Sequence, residues 1–206
     1  MTTIEIDTAD LVLVWPREGV QLDVAMLQGL WTETQYLKLS AQTNHLIEFT
    51  DGDIEVLPMP TSRHQIILLY MYELLKQFCQ PAGVVLIAAL RLRIRPDKYR
   101  EPDILLLRDK RDPRYQDAFW LGADLVVEVV SPDNPERDTV TKVDDYAEAG
   151  IPEYWIINLI DESVTVLVLN GNVYTEGGVY RRGDTAHSHL LDGFTADVIA
   201  LLDAAP

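Results

Sequence analysis

The chain has 206 residues, of which 48% are apolar and 24% charged, with 11 glycines and 11 prolines. That balance excludes a disordered or collagen-like chain, and the length allows roughly 70% of the unfolded surface to be buried. Lys and Arg total 17 against 33 Asp and Glu, a net charge of −16, which excludes a protein that coats nucleic acid by bulk charge but not an enzyme with one basic groove. The opening MTTIEIDTAD lacks the basic and apolar regions of a leader, and no apolar run reaches the roughly 18 residues of a membrane span. Cys79 is alone, so no internal disulfide or thiolate metal cluster is expected, and a cytoplasmic protein that avoids membranes is the simplest expectation.

In chain order, residues 1–31 read as an N-terminal elaboration with a strand-like LVLVW at Leu11–Trp15. Thr32–Gln35 has the form of a capping box opening a short helix through Leu39. In His45–Pro58, two alternating runs flank Asp51-Gly52-Asp53, a hairpin signal. Ser62 is the expected cap of a helix to about Phe78 with Ile66, Leu69, Tyr70 and Leu74 on its apolar face. Three strands are then expected, at Val84–Ile94, Pro102–Arg108 and Asp124–Val130. The last two are apolar on both faces, as central strands are. After a polar loop at Ser131–Glu136 comes a helix over Asp138–Ala149, closed by Gly150 and Pro152. Glu153–Leu159 and Ser163–Leu169 read as further strands, with turns at Asp161-Glu162, Asn170–Asn172 and Glu176–Gly178. With no repeat or linker, one domain over 1–206 is expected, a mixed sheet flanked by helices, with 171–206 as C-terminal strands and tail.

The basic residues are concentrated. Nine of them lie between Arg91 and Arg114 against five acids, while the rest of the chain holds 8 basic and 28 acidic residues. Arg91, Arg93 and Arg95 alternate with Leu92 and Ile94, so a strand would point all three to one face. That face is either a solvated sheet edge or a phosphate contact.

Two carboxylates stand where burial makes them costly unless they are paired or bind a metal. Asp103 opens the apolar run of its strand, and Glu128 sits inside LVVEVV on the face of Val126 and Val130. On neighbouring strands they would form a hard, oxygen-rich site suited to Mg²⁺ or Mn²⁺, with water and phosphate completing the shell. Asp138, Lys142 and Tyr146 share one helical stripe. By spacing alone, Asp138 and Lys142 form an exposed pair of little energetic weight. The alternative turns Lys142 toward the carboxylates. A serine hydrolase is disfavoured by the absence of GxSxG. Cys79 reads as packing, and His187 with His189 on one strand face is a weak metal signal.

These residues, taken in order, resemble the Uma2 family within the PD-(D/E)XK, restriction-endonuclease-like superfamily. The matching pieces are Pro102-Asp103, Glu128–Pro132, Asp138, Lys142 and Tyr146, and Gly150–Ile156. Upstream pieces are Thr34–Leu37, Glu48 before Asp51–Ile54, and Ser62–Gln65. The resemblance spans about residues 32–170 and implies a restriction-endonuclease-like α/β (α+β) core, a central mixed sheet flanked by helices with an N-terminal hairpin extension. It implies a metal-dependent endonuclease in which Asp103 and Glu128 hold Mg²⁺ or Mn²⁺. The superfamily places its lysine two residues after the second acid, where this chain has Val130. Lys142 matches a lysine carried on the following helix instead, to orient water or stabilise charge. His64 matches a histidine at the start of the family's first helix, and Glu48, Arg91, Arg93 and Tyr146 are expected to border the site or meet substrate. The expected partner is nucleic acid, DNA foremost, and fold analogy raises a homodimer. Two alternatives remain at this level. One is a degenerate nuclease fold acting as a binding or assembly module. The other is metal-dependent hydrolysis of a different phosphate compound.

Overall fold

The computed structural model describes residues 12–15 and 20–205, so the leader-free reading of the first ten residues and Leu11 of the first expected strand lie outside it. The chain forms two compact units, Met1–Met59 with Arg95–Glu101, and Pro60–Ile94 with Pro102–Pro206.

In the smaller unit, β1 (Val12–Trp15) pairs antiparallel with β2 (Val20–Asp23). Helix α1 (Glu33–Ser40) opens on the expected capping box, with the Thr32 N–H donating to Gln35 Oε1 at 2.9 Å and the Gln35 N–H donating back to Thr32 Oγ1 at 3.3 Å. The expected hairpin is β3 (Ile47–Thr50) with β4 (Asp53–Val56). Its turn residues Asp51 and Gly52 have φ of 48° and 100°, the left-handed pair that a two-residue hairpin requires. Gly52 is needed twice over, because a Cβ there would stand 2.7 Å from the Gly29 carbonyl oxygen. The Tyr36 ring stacks on Phe49 at 5.0 Å and meets Tyr99 at 5.3 Å, forming the core of this unit.

The larger unit begins with α2 (Ser62–Cys79). Its cap is Thr61, not Ser62, and the Thr61 hydroxyl accepts the His64 N–H at 3.2 Å. The buried stripe is Ile67, Leu68, Met71 and Leu75, shifted round the helix from the expected one, and Leu69 is 46% exposed. Both stripes satisfy the helical period because this helix is apolar over much of its circumference. Packing on the sheet selects between them.

The expected strand Val84–Ile94 is two strands, β5 (Val84–Ile87) and β6 (Leu92–Arg95). The Ala88 N–H still donates to the Asp103 carbonyl at 3.0 Å, and the chain then leaves the sheet. β6 bridges to Trp120, so an unbroken strand-like run conceals a change of partner. β7 (Lys98–Arg100) pairs with β3 in the smaller unit. The remaining elements are β8 (Ile104–Leu107), β9 (Leu125–Val129), α3 (Lys142–Glu148), β10 (Glu153–Asn158), β11 (Ser163–Asn170), β12 (Val173–Arg181), β13 (Thr185–His187), β14 (Thr195–Asp197) and α4 (Val198–Leu202).

Six strands form one mixed sheet in the order β12-β11-β10-β9-β8-β5. β9 and β10 are parallel and the other neighbours antiparallel. Every residue of β8 and β9 is buried, as their two-faced apolar runs require. One face carries Ile104, Leu106, Val127 and Val129 against α2 and α4, and the other carries Leu105, Leu107, Val126 and Val130 with Tyr146 of α3.

The expected turn at Glu176–Gly178 lies inside β12. There the register with β11 slips at Gly177, a bulge in which a Cβ would stand 2.9 Å from the Val168 side chain. His187 and His189 do not share a strand face. His187 ends β13 beside the Tyr180 ring, and His189 follows it with Nε2 3.2 Å from the Gly177 carbonyl oxygen. No helix among the described residues is long and apolar enough to cross a membrane.

Candidate active site

Strand register brings the two carboxylates together. Ile104 pairs with Val127, so Asp103 lies opposite Glu128 where β8 begins. The Asp103 N–H donates to Glu128 Oε2 at 3.4 Å, and the Val129 N–H donates to Asp103 Oδ2 at 2.7 Å. His64, in the first turn of α2, places Nε2 3.0 Å from the same Asp103 Oδ2.

From the other face, α3 delivers Lys142. Its Nζ is 2.8 Å from Glu128 Oε1 and 3.0 Å from Asp138 Oδ1, and the residue is only 4% exposed. The exposed Asp–Lys pair expected from spacing is therefore a buried bridge between two carboxylates. Tyr146 donates its hydroxyl to Glu128 Oε1 in a very short hydrogen bond. Val130, at the superfamily's usual lysine position, is buried in the apolar cluster with Tyr146, Ile151 and Tyr154. The ammonium reaches Glu128 from the helix rather than from its own strand.

Asp138 is the residue that sequence reasoning left out of the site. It is buried, holds Lys142, and accepts the Ser131 N–H on Oδ2 at 3.4 Å. Its position four residues before Lys142 was the available signal. Glu48 belongs to the smaller unit, where it is 1% exposed, lies 3.4 Å from Arg100 Nε and accepts the Glu101 N–H at 3.0 Å. Arg91 and Arg93 flank and occupy β6, whose arginines take its less buried positions. That strand is not a sheet neighbour of β8. Arg91 instead follows Ala88, which is bonded to Asp103, by three residues of chain. Arg95 pairs bidentately with Asp51 at 2.7 Å within the smaller unit.

Two buried acids, Glu128 and Asp138, and the partly buried Asp103 stand around Lys142, with His64 beside Asp103, and the site's proton affinities reflect that crowding of carboxylates. Burial pushes the Glu128 carboxyl up to about 8; Lys142 opposes the rise, while Asp103 and Asp138 add to it. For His64, burial pulls downward, but the hydrogen bond and charge of Asp103, with smaller help from Asp138 and the Val129 backbone, leave it raised overall. Tyr154 is pushed well above its ordinary value by burial and by Glu128, Asp138 and Asp103, so its hydroxyl stays protonated.

The donor set fits a hard divalent cation. Asp103 commits Oδ2 to Val129 and His64 and Glu128 commits Oε1 to Lys142 and Tyr146, while Glu128 Oε2 lies clear of those two donors and accepts the Asp103 N–H at 3.4 Å. Among the described residues, no group of three or more His, Cys, Asp or Glu is arranged to hold a metal. Two carboxylates completed by water and phosphate are a common setting for Mg²⁺.

Residues 33–201 match a family described as "Putative restriction endonuclease". The chain belongs to the Uma2 family. The Uma2 match extends beyond the expected span, through β13 and β14 into α4. The fold is similar to the crystal structure of a "putative nuclease belonging to DUF820" from Anabaena variabilis, with a TM-score of 0.66 at 18% identity over 81% of this chain and 96% of that one. No curated protein matches this Uma2 chain.

Proposed function

We propose that the chain is an endonuclease that hydrolyses phosphodiester bonds of nucleic acid, DNA being the substrate, with Mg²⁺ or Mn²⁺ held by Asp103 and Glu128. The observation that carries this reading is the pair of carboxylates on adjacent strands, Glu128 buried and Asp103 partly buried, with Lys142 bridging Glu128 and Asp138. So much uncompensated negative charge is costly in an apolar wall, and a divalent cation relieves it.

When bound, the cation supplies charge neutralisation at the phosphate and a water of lowered pKa. The chain's own residues do the rest. The Val129 N–H and His64 hold the Asp103 carboxylate in one orientation, and Tyr146 does the same for Glu128. Lys142 keeps a fixed ammonium at Glu128 Oε1, where it orients the attacking water or stabilises charge developing on the phosphate. Arg91 and Arg93 are proposed phosphate contacts, with Glu48 bordering the substrate. A cytoplasmic location and a homodimer complete the proposal.

The test is thermal unfolding with and without Mn²⁺ or Mg²⁺ in wild type and Asp103→Ala, followed by cleavage of circular DNA. A cation at about 100 times its dissociation constant stabilises the folded state by roughly 2.7 kcal/mol. The expected result is a cation-induced shift in wild type that vanishes in Asp103→Ala, with cleavage lost in parallel. The baseline of the variant is not diagnostic, because relief of like charge and loss of the acceptor of the Val129 N–H and His64 act in opposite directions. No shift at millimolar cation, with or without DNA, would favour the second reading, a degenerate nuclease fold serving as a binding module. One observation supports that reading: Arg95, Arg100, Arg108, Arg111 and Arg114 of the basic window are each paired with a carboxylate.

A further inference from the structure

The cations of the loop after β8, Arg108, Lys110, Arg111 and Arg114, stand at the far end of the sheet from the carboxylates. Asp103 and Arg108 bracket β8 on its two sides. At an antiparallel strand's rise they lie about 17 Å apart along it. Helix α2 spans the same distance. Its first turn brings His64 to Asp103, and its last residues, Phe78 and Cys79, line a surface cavity with Arg108. A cation that serves a phosphate at the carboxylates therefore has to come from the start of α2, not from its end.

Arg63 is in that place. It immediately precedes His64 and is exposed. Its Nη1 donates to the Ala204 carbonyl at 2.9 Å. That acceptor is neutral, so the bond holds the side chain without cancelling its charge. The acid next to it in the chain, Asp203, is taken by Arg182, which donates to its two carboxylate oxygens at 2.9 and 3.0 Å. Those bonds hold the Asp203 carboxyl below its usual value, and Arg63 adds a smaller pull. Arg182 also donates to Glu162 at 2.9 Å. Arg63 forms no ion pair among the described residues, unlike Arg95, Arg100, Arg108, Arg111, Arg114 and Arg182.

We propose that Arg63 binds the substrate phosphate that flanks the scissile one. The assignment rests on the nuclease reading, which sets the scissile phosphate at Asp103 and Glu128. One residue of an α-helix turns through about 100°, so Arg63 stands to the side of His64 and not over the carboxylates. Its guanidinium offers five N–H donors in a planar fork, of which Ala204 takes one. The others remain for a phosphate, which a guanidinium binds bidentately. Holding the side chain on Ala204 before substrate arrives also reduces the rotamer freedom lost on binding. A flanking phosphate does not change in the reaction. Arg63 therefore binds substrate and transition state alike, and its contribution belongs in KM and not in kcat.

The test compares Arg63→Gln and Arg63→Lys with wild type, first through affinity for a labelled DNA duplex at several salt concentrations without divalent cation. One phosphate contact contributes about 0.9 to the slope of log K against log salt. The slope is expected to fall by that amount in Arg63→Gln and to persist in Arg63→Lys, which keeps the charge. With Mg²⁺, KM of Arg63→Gln is expected to rise about 10-fold, the size of one hydrogen bond to a charged group, with kcat unchanged. The tie to Ala204 by itself affects stability and leaves the salt slope alone, so thermal unfolding of the same variants separates the two roles. Arg63 is exposed, and both variants are expected to fold. A Gln variant with the wild-type slope, or one that loses kcat at unchanged KM, overturns the proposal. So does a Lys variant whose slope falls as far as that of Gln. Wild-type protein that cleaves DNA while Arg63→Gln matches it overturns this proposal alone. Wild-type protein that neither binds nor cleaves nucleic acid overturns the nuclease reading and this proposal with it.

Discussion

At Glu128 the surroundings and the contacts pull in opposite directions. Burial and the neighbouring acids favour its protonated form, and Lys142 favours the carboxylate. The unfolded chain releases this proton near 4.5 and the folded protein near 8, so between those values the folded state holds more protons. Stability of the metal-free protein therefore falls as pH rises through that window. His64 acts with the same sign. Its raised affinity stabilises the fold below the ordinary value of 6.5, and that contribution is lost as pH climbs through the folded value. We expect the urea midpoint without metal to drop between about pH 5 and about pH 8.5, and Glu128→Gln to flatten the drop. Saturating Mg²⁺ should flatten it too, since the cation favours the ionised carboxylate. Lys142→Met removes the one cation between two buried acids. Breaking such a pair costs about 3–5 kcal/mol, which denaturant unfolding at neutral pH will read. Asp103 and Glu128 were legible as candidates because carboxylates interrupt apolar strands. The burial of Asp138 and Lys142 was not, because a helical spacing of four is the same on an exposed face as on a buried one.

At the level of elements, short-range chemistry decided most of what formed. The capping box at Thr32, the Asp51-Gly52 turn and the alternating strands of the hairpin all follow from neighbours within a few residues. Gly52→Ala tests the turn. It meets both an unfavourable φ, worth about 1–2 kcal/mol, and a Gly29 carbonyl oxygen at 2.7 Å, so thermal unfolding should show a loss larger than the dihedral cost alone. Thr61→Ala removes the true cap of α2 and should cost about 1 kcal/mol. Because the Thr61 hydroxyl holds the His64 N–H, the same change should loosen the contact of His64 with Asp103. Elements were misread where an apolar run alone set the boundary. Val84–Ile94 reads as one strand because periodicity records which residues seek burial, not which partner buries them. Gly177-Gly178 reads as a turn because glycine marks a bulge and a turn alike.

Over the whole molecule, the charge of −16 is joined by internal use of the arginines. Arg114 bridges Asp112 and Asp124, and Arg182 bridges Glu162 and Asp203. The basic window around 91–114 is thus partly spent on holding its own loops. Nucleic-acid binding is accordingly expected to have a shallow salt dependence. If Arg91 and Arg93 touch phosphates, replacing both with alanine should reduce the slope of log K against log salt by about 2. Titration of a labelled duplex at several salt concentrations measures this, and an unchanged slope removes the stripe from the substrate path.

From the sequence by itself came the fold class, the two central strands, the carboxylates at 103 and 128 and the helix bearing Lys142. Each of these depends on local periodicity, or on a polar residue in an apolar setting, and both are properties of a linear chain. The tertiary structure alone decided which helical stripe of α2 is buried, where the chain changes sheets after Ala88, and how Asp138 joins the site. Those outcomes depend on long-range packing, and no window of neighbouring residues contains both halves of such a contact.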